Sequence, residues 1–403
     1  MMEVKKLIPE LRFKGFDSEW QTKRLGEIAK ITTGSTPSTL VEEYYNGNKL
    51  FVSPADIQGN RFVYTTKTTL TEIGFSKGRL IRKGSVLFVC IGSTIGKIAI
   101  ASEDCLTNQQ INALDSNKGF ENNFIYELLE KNGVKIKLLA GVQAVPQINK
   151  TDFSNFKYSI PSLPEQQKIA SFLSAVDEKI QQLTRKKELL EQYKKGVMRQ
   201  LFSGKLRFKN ENGVEYPEWQ RKRLGDLTYK VGKKNKENIK YPIYSINNQE
   251  GFRPQSEQFE GLDSNERGYD ISLYKIVNKE TFAYNPARIN VGSIGYSYDL
   301  DKVIVSSLYV CFKTKDELED TFLLTYLDSF IFKKDILRFE EGGVRQYLFY
   351  ENFCHIKMPI PSIKEQKRIS TFIKSIENKM TKINAQINQT QTFKKGLLQK
   401  MFV

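Results

Sequence analysis

The chain has 403 residues, 39% of them hydrophobic and 12% aromatic, and a formal net charge of +16. That length suits two domains, and that apolar content excludes an intrinsically disordered protein. The positive balance points to a polyanion, nucleic acid before an acidic membrane surface. No stretch predicts a transmembrane helix, because the most apolar segment, "SVLFVCIGSTIGKIAIA", is interrupted by Gly92, Gly96 and Lys97. The first residues lack the apolar core of a signal peptide, so the expectation is a cytoplasmic protein without a membrane partner. Cys90, Cys105, Cys311 and Cys354 show no close pairing and are expected to be buried free thiols. The single histidine, His355, argues against a Ser–His–Asp triad and against a multi-histidine metal site. A core or strand-edge position is expected for it.

The first recognisable segment is "SEWQTKRLGEI" at 18–28, followed by the hydroxyl-rich turn "ITTGSTPST" around Gly34. Short β-rich runs, "GSVLFVCIG" and "KIAIA", predict strands bounded by glycine turns. "NNFIYELLEKNGVKIKLLA" at 122–140 predicts a helix. The segment "IPSLPEQQKIASFL" at 160–173 then opens a long helix. Ser162 and Glu165 have capping-box spacing, and Pro164 suits a first turn. Ile169, Val176, Leu183, Leu190 and Val197 recur every seven residues, with Leu173, Ile180 and Leu201 on the second seam position. Lys187 and Lys194 interrupt the seam, which predicts a weaker but register-specific pairing.

The same order then returns about 200 positions later. "PEWQRKRLGDL" at 217–227 repeats the lead-in, and the only two tryptophans, Trp20 and Trp219, occupy this pair. "ETFAYNPARI" and "KVIVSSLYVCFK" predict strands, and "DELEDTFLLTYLDSFIFKKDIL" at 316–337 predicts a helix. "IPSIKEQKRISTFI" at 360–373 shares seven of fourteen positions with its earlier counterpart, including the Ser362–Glu365 spacing. Ile369, Ile376, Ile383 and Leu397 carry the second heptad series, with Ile373, Met380, Ile387 and Met401, and with Thr390 and Lys394 as interruptions. The chain therefore reads as one duplicated unit, too long for a solenoid repeat. The predicted architecture is α/β (α+β), with two mixed globular domains joined by two long antiparallel coiled-coil helices and a pseudo-two-fold internal repeat. The expected boundaries are 1–158 and 205–358 for the globular domains, and 159–204 and 359–403 for the helices. Within the repeat, roughly 30–150 and 229–350 diverge while the frame is kept.

Catalytic motifs are scarce. "GSTIGK" has one residue too few between its glycines for a phosphate-binding P-loop, and Ile98 stands where a hydroxyl is needed. It predicts a turn between strands. "NPAR" at 285–288 departs from the Asn-Pro-Pro-aromatic loop of amino-methyltransferases and predicts a turn presenting Arg288. Residues suited to reading nucleic acid are present. The first unit offers Thr33, Ser35, Thr36, Gln109, Gln110, Gln143 and Gln147. The second offers Lys233, Lys234, Lys236, Asn247, Asn248, Arg288, Arg345 and Gln346. Amides suit adenine edges, arginine suits guanine, and lysines and hydroxyls hold phosphates. The rival readings are a stand-alone DNA methyltransferase or nuclease, which would need a cofactor loop or an acidic metal cluster, and a coiled-coil scaffold, which would not explain two diverged basic domains.

The divergent domain, the "IP-x-x-x-EQ" helix and the repetition of the whole unit resemble the specificity subunit of a type I restriction–modification enzyme. The residues carrying the resemblance are 160–166 and 360–366, the helix ends at 194–202 and 394–402, and the tryptophan segments. The resemblance implies two target-recognition domains, each reading half of an asymmetric bipartite target in double-stranded DNA. It implies helices that set the spacing and dock two methylation subunits, through Glu165, Gln166, Ile169, Val176 and Leu183, and Glu365, Gln366, Ile369, Ile376 and Ile383. It also implies a chain without catalysis or cofactor of its own. Partner methylation subunits would use S-adenosylmethionine, and partner restriction/translocase subunits would use ATP and Mg.

Overall fold

The computed structural model describes residues 7–140, 146–248, 250–257, 261–341 and 346–403. The chain divides into two compact units, one formed by the residues up to Lys186 together with Ile383–Val403, the other by Lys187–Lys382. These units differ from boundaries that set the long helices apart as domains, because each unit takes in part of each long helix.

The first unit runs β1 (Gln21–Arg24), α1 (Leu25–Ile28), β2 (Ala29–Thr33), β3 (Tyr45–Val52), β4 (Phe62–Val63), β5 (Thr68–Leu70), α2 (Glu72–Phe75), β6 (Val86–Val89), β7 (Ile98–Ala101), β8 (Leu106–Thr107), β9 (Ile111–Ser116), α3 (Asn122–Leu139), α4 (Lys150–Asn155), β10 (Lys157–Ile160) and the start of α5 (Leu163–Phe202). Its main sheet has the order β2-β9-β6-β7-β4, and a smaller sheet has the order β5-β3-β8. Alternation decides the layers. Val86, Phe88, Ile100 and Leu114 face the core that holds α3, whereas Leu87, Val89, Ala99 and Ala113 face the core shared with Leu50 and Val52 of β3. Both faces are covered, so β6 and β7 read as unbroken apolar runs.

The second unit follows the same plan: β11 (Gln220–Arg223), α6 (Leu224–Leu227), β12 (Thr228–Val231), β13 (Ile243–Asn247), β14 (Gly251–Pro254), β15 (Lys275–Val277), β16 (Phe282–Tyr284), β17 (Ile294–Tyr296), β18 (Val303–Val305), β19 (Val310–Thr314), α7 (Asp320–Leu327), α8 (Phe330–Phe339), α9 (Tyr350–His355), β20 (Lys357–Ile360) and α10 (Ile363–Met401). The sheets are β12-β19-β16-β17 and β14-β13-β18-β15. Two departures from the sequence reading occur here. The helix expected over 316–337 is two helices, because Ser329 restarts the chain by accepting a hydrogen bond from Phe332 N at 3.2 Å. His355 is exposed at the end of α9 rather than in the core.

Most of the heptad seam is buried, with Val176, Ile180, Leu190 and Met380 partly so. Ile169, Leu173, Leu183, Val197 and Leu201 of α5 are buried, as are Ile369, Ile373, Ile376, Ile383, Leu397 and Met401 of α10. In the first unit, Ile169 and Leu173 share a core with Leu397 and Met401. In the second, Val197 and Leu201 share a core with Ile369 and Ile373. Within each unit the start of one long helix therefore meets the end of the other, so the helices run antiparallel. Lys194 forms ion pairs with Asp328 at 3.0 Å and Glu377 at 2.9 Å. Lys394 does the equivalent with Asp177 at 2.7 Å and with Glu130. A seam lysine with a partner on the opposite helix penalises any shifted register, which is how such interruptions act.

Cys90, Cys105 and Cys311 are buried free thiols, each pushed up to about 12 by burial. Cys354 is half-buried. Among the described residues, no helix is long and apolar enough to cross a membrane.

Candidate functional site

In the first unit, several of the expected contact residues form one surface. The turn after β2 crosses the end of β8, where Gly34 N donates to Ile111 O at 3.0 Å. Only glycine fits there, because a Cβ on Gly34 would lie 2.2 Å from both Asn108 O and Thr107 Oγ1. This close approach lets Thr36 Oγ1 donate to Gln109 Oε1 at 2.8 Å and Thr33 Oγ1 donate to Asn112 Oδ1 at 2.7 Å. Arg79 braces the turn, donating through its backbone to Ser35 Oγ at 3.0 Å and through Nη1 to Thr33 O at 2.9 Å. Gln110 donates to Ile91 O at 3.5 Å, and Gln147 pairs in a β-bridge with Ile91. Thr33, Ser35, Thr36, Gln109, Gln110 and Gln147 are thus brought together on the β6–β7 end of the sheet. Gln143 lies outside the described residues. Replacing Gly34 with alanine is expected to cost about 1–3 kcal/mol, as overpacking against backbone does. Thermal unfolding of the Gly34→Ala chain beside wild type would check this.

In the second unit, the basic turn after β12 is held from below. The buried Asn235 donates to Ile239 O at 2.9 Å and accepts from Ile239 N at 3.2 Å, while Lys233, Lys234 and Lys236 around it are exposed. Lys234 bridges to Lys275, whose Nζ reaches Tyr309 O. Asn248 lies against the β16–β17 turn, where a Cβ on Gly292 would be 3.3 Å from Asn248 O. Asn247 is used locally, its Oδ1 accepting from Glu250 N at 2.6 Å. Arg288 is exposed on the β16–β17 turn, as the "NPAR" reading expects, and Gln346 is exposed as well. Arg345 lies outside the described residues.

Among the residues expected to dock partners or form the spacer, the Glu-Gln pairs are turned inward. Glu165, Gln166, Glu365 and Gln366 are at most 1% exposed. Glu165 accepts from Arg12 Nε at 2.7 Å, from Arg12 Nη2 at 2.8 Å and from Trp20 Nε1 at 3.4 Å. Glu365 accepts in the same way from Arg207 at 3.4 and 3.1 Å and from Trp219 at 3.0 Å. Gln166 accepts from Glu121 N at 3.1 Å, and Gln366 from Glu319 N at 2.8 Å, at the N-caps of α3 and α7. The repeated Glu-Gln is therefore an internal joint that fixes lead-in strand, helix and globular part to one another. The capping boxes are incomplete for the same reason. Ser362 Oγ accepts from Glu365 N at 3.4 Å, but the glutamate carboxylate is committed to arginine and tryptophan. Ile169, Leu183, Ile369, Ile376 and Ile383 are buried in the seam and Val176 is partly so, the placement that a spacer role requires of them. The arginines were legible as a second short repeat, "LRFK" at 11–14 and 206–209.

Arg61, Glu127, Glu130, Asp177 and Lys394 form a buried ionic cluster in the first unit, a group that sequence spacing does not reveal. Three carboxylates face two cations, so the cluster carries one negative charge too many for its surroundings. Burial pushes the Glu127 carboxyl up to about 7, against the pull of Lys394 and Arg61. The oxygens of Glu127, Glu130 and Asp177 lie close enough to hold a cation, and the Lys394 ammonium already occupies that role.

A sequence profile for the type I restriction modification DNA specificity domain matches residues 17–192 and again 216–390. The chain is 24% identical over 399 residues to the type I restriction enzyme MjaVIII specificity subunit of Methanocaldococcus jannaschii, covering 94% of this chain and 91% of the relative. It is 29% identical over 237 residues to the MjaIX specificity subunit of the same organism, covering 54% of this chain and 55% of that one. Its fold is similar to the crystal structure of a type I restriction-modification S subunit from M. genitalium, with a TM-score of 0.62, 17% identity, and coverage of 98% of this chain and 99% of that one.

Proposed function

The chain belongs to the type I restriction modification DNA specificity family, and from that membership we propose that it is the DNA-recognition subunit of a type I restriction–modification complex. Each unit reads one half of a bipartite target. The observation that carries this reading is a frame kept twice around different contents. The joints Arg12–Glu165–Trp20 and Arg207–Glu365–Trp219 are equivalent, as are the antiparallel pairs β1–β10 and β11–β20, with Gln21 opposite Ile160 and Gln220 opposite Ile360. The surfaces carried by that frame differ, hydroxyls and amides in the first unit, lysines, asparagines and an arginine in the second. Two equal frames favour two copies of one methylation partner, held by exposed faces of the long helices because the Glu-Gln pairs are sealed inside. In this reading the partners bring the chemistry, adenine methylation with S-adenosylmethionine, and translocation and cleavage with ATP and Mg.

The test exchanges residues 30–150 for the matching segment of a relative and sequences the methylome of a host carrying the chimera and its methylation subunit. One half of the methylated motif should change and the other should stay. A change in both halves, or a motif with a single part, would sink the two-reader reading.

A further inference from the structure

The second unit holds an open cleft of about 480 Å³ walled by Asn285, Pro286, Arg288, Leu308, Tyr347 and Phe349. Its chemistry is unusual for a polar turn. Tyr347 and Phe349 stack with ring centroids 5.6 Å apart and planes 4° from parallel. Phe349 is 46% exposed and Leu308 is 74% exposed. Arg288 stands at the rim on a backbone fixed from both sides. Its N–H donates to Asn285 O at 3.0 Å, and its carbonyl accepts from Ser293 N at 3.0 Å. The guanidinium has no hydrogen-bond or ion-pair partner among the described residues.

The corresponding place in the first unit is built on the same backbone with other side chains. There Ile148 N donates to Cys90 O at 2.9 Å, as Leu348 N donates to Pro286 O at 3.0 Å in the second unit. The first unit carries Gln147 and Asn149 where the second carries Tyr347 and Phe349. Asn149 caps α4, its Oδ1 accepting from Asp152 N at 2.8 Å. Phe349 holds the same position before α9 and makes no side-chain cap bond. The second unit therefore gives up a helix cap and exposes an aromatic ring. Neither feature helps folding, since an uncapped terminus and exposed apolar surface both work against it.

Resting on the reading of each unit as a half-site reader, we propose that this cleft reads a guanine next to a thymine in the half-site of the second unit. The Arg288 fork donates to guanine O6 and N7, and the Leu308–Phe349 edge receives the thymine 5-methyl group. Both pairings follow from the major-groove pattern, in which guanine shows two acceptors to arginine and thymine shows a methyl group to apolar side chains. The unpartnered guanidinium supplies the donors, and the exposed Leu308 and Phe349 side chains supply apolar surface that the methyl group can cover. The first unit lacks both groups at this place, so the pairing belongs to one half-site.

The test uses the complex of the chain with its methylation subunits and duplexes carrying the methylome-derived motif. Arg288→Ala should slow methylation of the cognate duplex by roughly ten- to a hundredfold and relax one guanine of the second half-site, leaving the first half unchanged. Replacing thymine by deoxyuridine in the second half-site should slow the wild-type complex several-fold. Phe349→Asn restores the cap, so it should fold at least as well as wild type, yet it should lose the difference between thymine and deoxyuridine. An unchanged motif for Arg288→Ala, or a second half-site without a guanine beside a thymine, overturns the cleft assignment while leaving two-part recognition standing. A wild-type motif without two parts overturns the underlying reading as well.

Discussion

Deleting residues 394–403 will unfold the first unit while the second keeps its structure, although the cut lies far in sequence from the domain it destroys. Leu397, Leu398, Met401 and Phe402 are all buried in the core of the first unit. Phe402 stacks on Phe124 with centroids 5.3 Å apart and meets Trp20 edge-on at 6.2 Å. The last turn is also tied by polar bonds, with Leu11 N donating to Lys400 O at 2.9 Å and Lys131 Nζ donating to Phe402 O at 3.0 Å. Removing each large core side chain costs about 2–5 kcal/mol, so losing four together costs about 8–20 kcal/mol, as much as the ~5–15 kcal/mol that holds a domain folded. A milder pair makes the same point. Phe402→Ala should cost about 3–5 kcal/mol in the first unit, and Phe202→Ala should cost about the same in the second, where Phe202 packs against Tyr326, Phe322 and Trp219. Hydrogen exchange read segment by segment decides it. Undiminished protection of α3 and β6 in the truncated chain would contradict the shared core.

Lys394→Met is expected to cost about 3–5 kcal/mol, the usual penalty for leaving buried charges uncompensated. Lys394 is 5% exposed and faces Glu127, Glu130 and Asp177, and Glu127 is fully buried. The equivalent Lys194→Met should cost only ~0–1 kcal/mol. Its partners Asp328 and Glu377 have side chains 55% and 38% exposed and can rehydrate. The pH dependence separates the two lysines further. Glu127 has its carboxyl raised to about 7 in the folded chain by burial, above the ordinary value of 4.5. The folded state therefore binds the extra proton. The stability this group contributes is full below about pH 4.5 and is lost as pH rises through about 7. Without Lys394 the attraction that favours the ionised form is gone, so the carboxyl rises further and the loss extends to higher pH. Melting of the Lys394→Met chain at pH 6 and pH 8 should differ more than that of wild type, with the mutant weaker at pH 8. Equal penalties for the two lysine variants would rule out the buried-cluster account.

The outline of the molecule is carried by short-range signals. The heptads of Ile169 to Val197 and Ile369 to Leu397 specify long helices with one apolar seam, and the repeated segments around Trp20 and Trp219 specify two copies of one unit. The glycine turn at 92–97 and the "NPAR" turn follow from their own residues, with Gly92 and Gly96 both at φ 93°. The hydroxyl and amide residues of the first unit were legible as candidates, because polar side chains in turns lie at the surface. Exposed aromatics such as Phe349 were not, since in sequence they read as core residues.

What the sequence by itself determined is the duplication, the helical seam, the identity of the family frame and the places where contents diverge. These depend on neighbours within a few residues, or on direct comparison of the two copies. What only the tertiary structure decided is the work each frame residue does. The Glu-Gln pairs, expected to face partners, are joints closed by Arg12 and Arg207. Arg61 and Lys394 compensate an acidic cluster drawn from α3 and α5. Each compact unit borrows the end of a helix that begins in the other half of the chain. All three depend on contacts between residues more than a hundred positions apart, such as Lys394 with Asp177 and Arg12 with Glu165. Spacing along the chain carries no record of such contacts, because burial and charge pairing are set by which surfaces meet, and the surfaces exist only after the helices and sheets have packed.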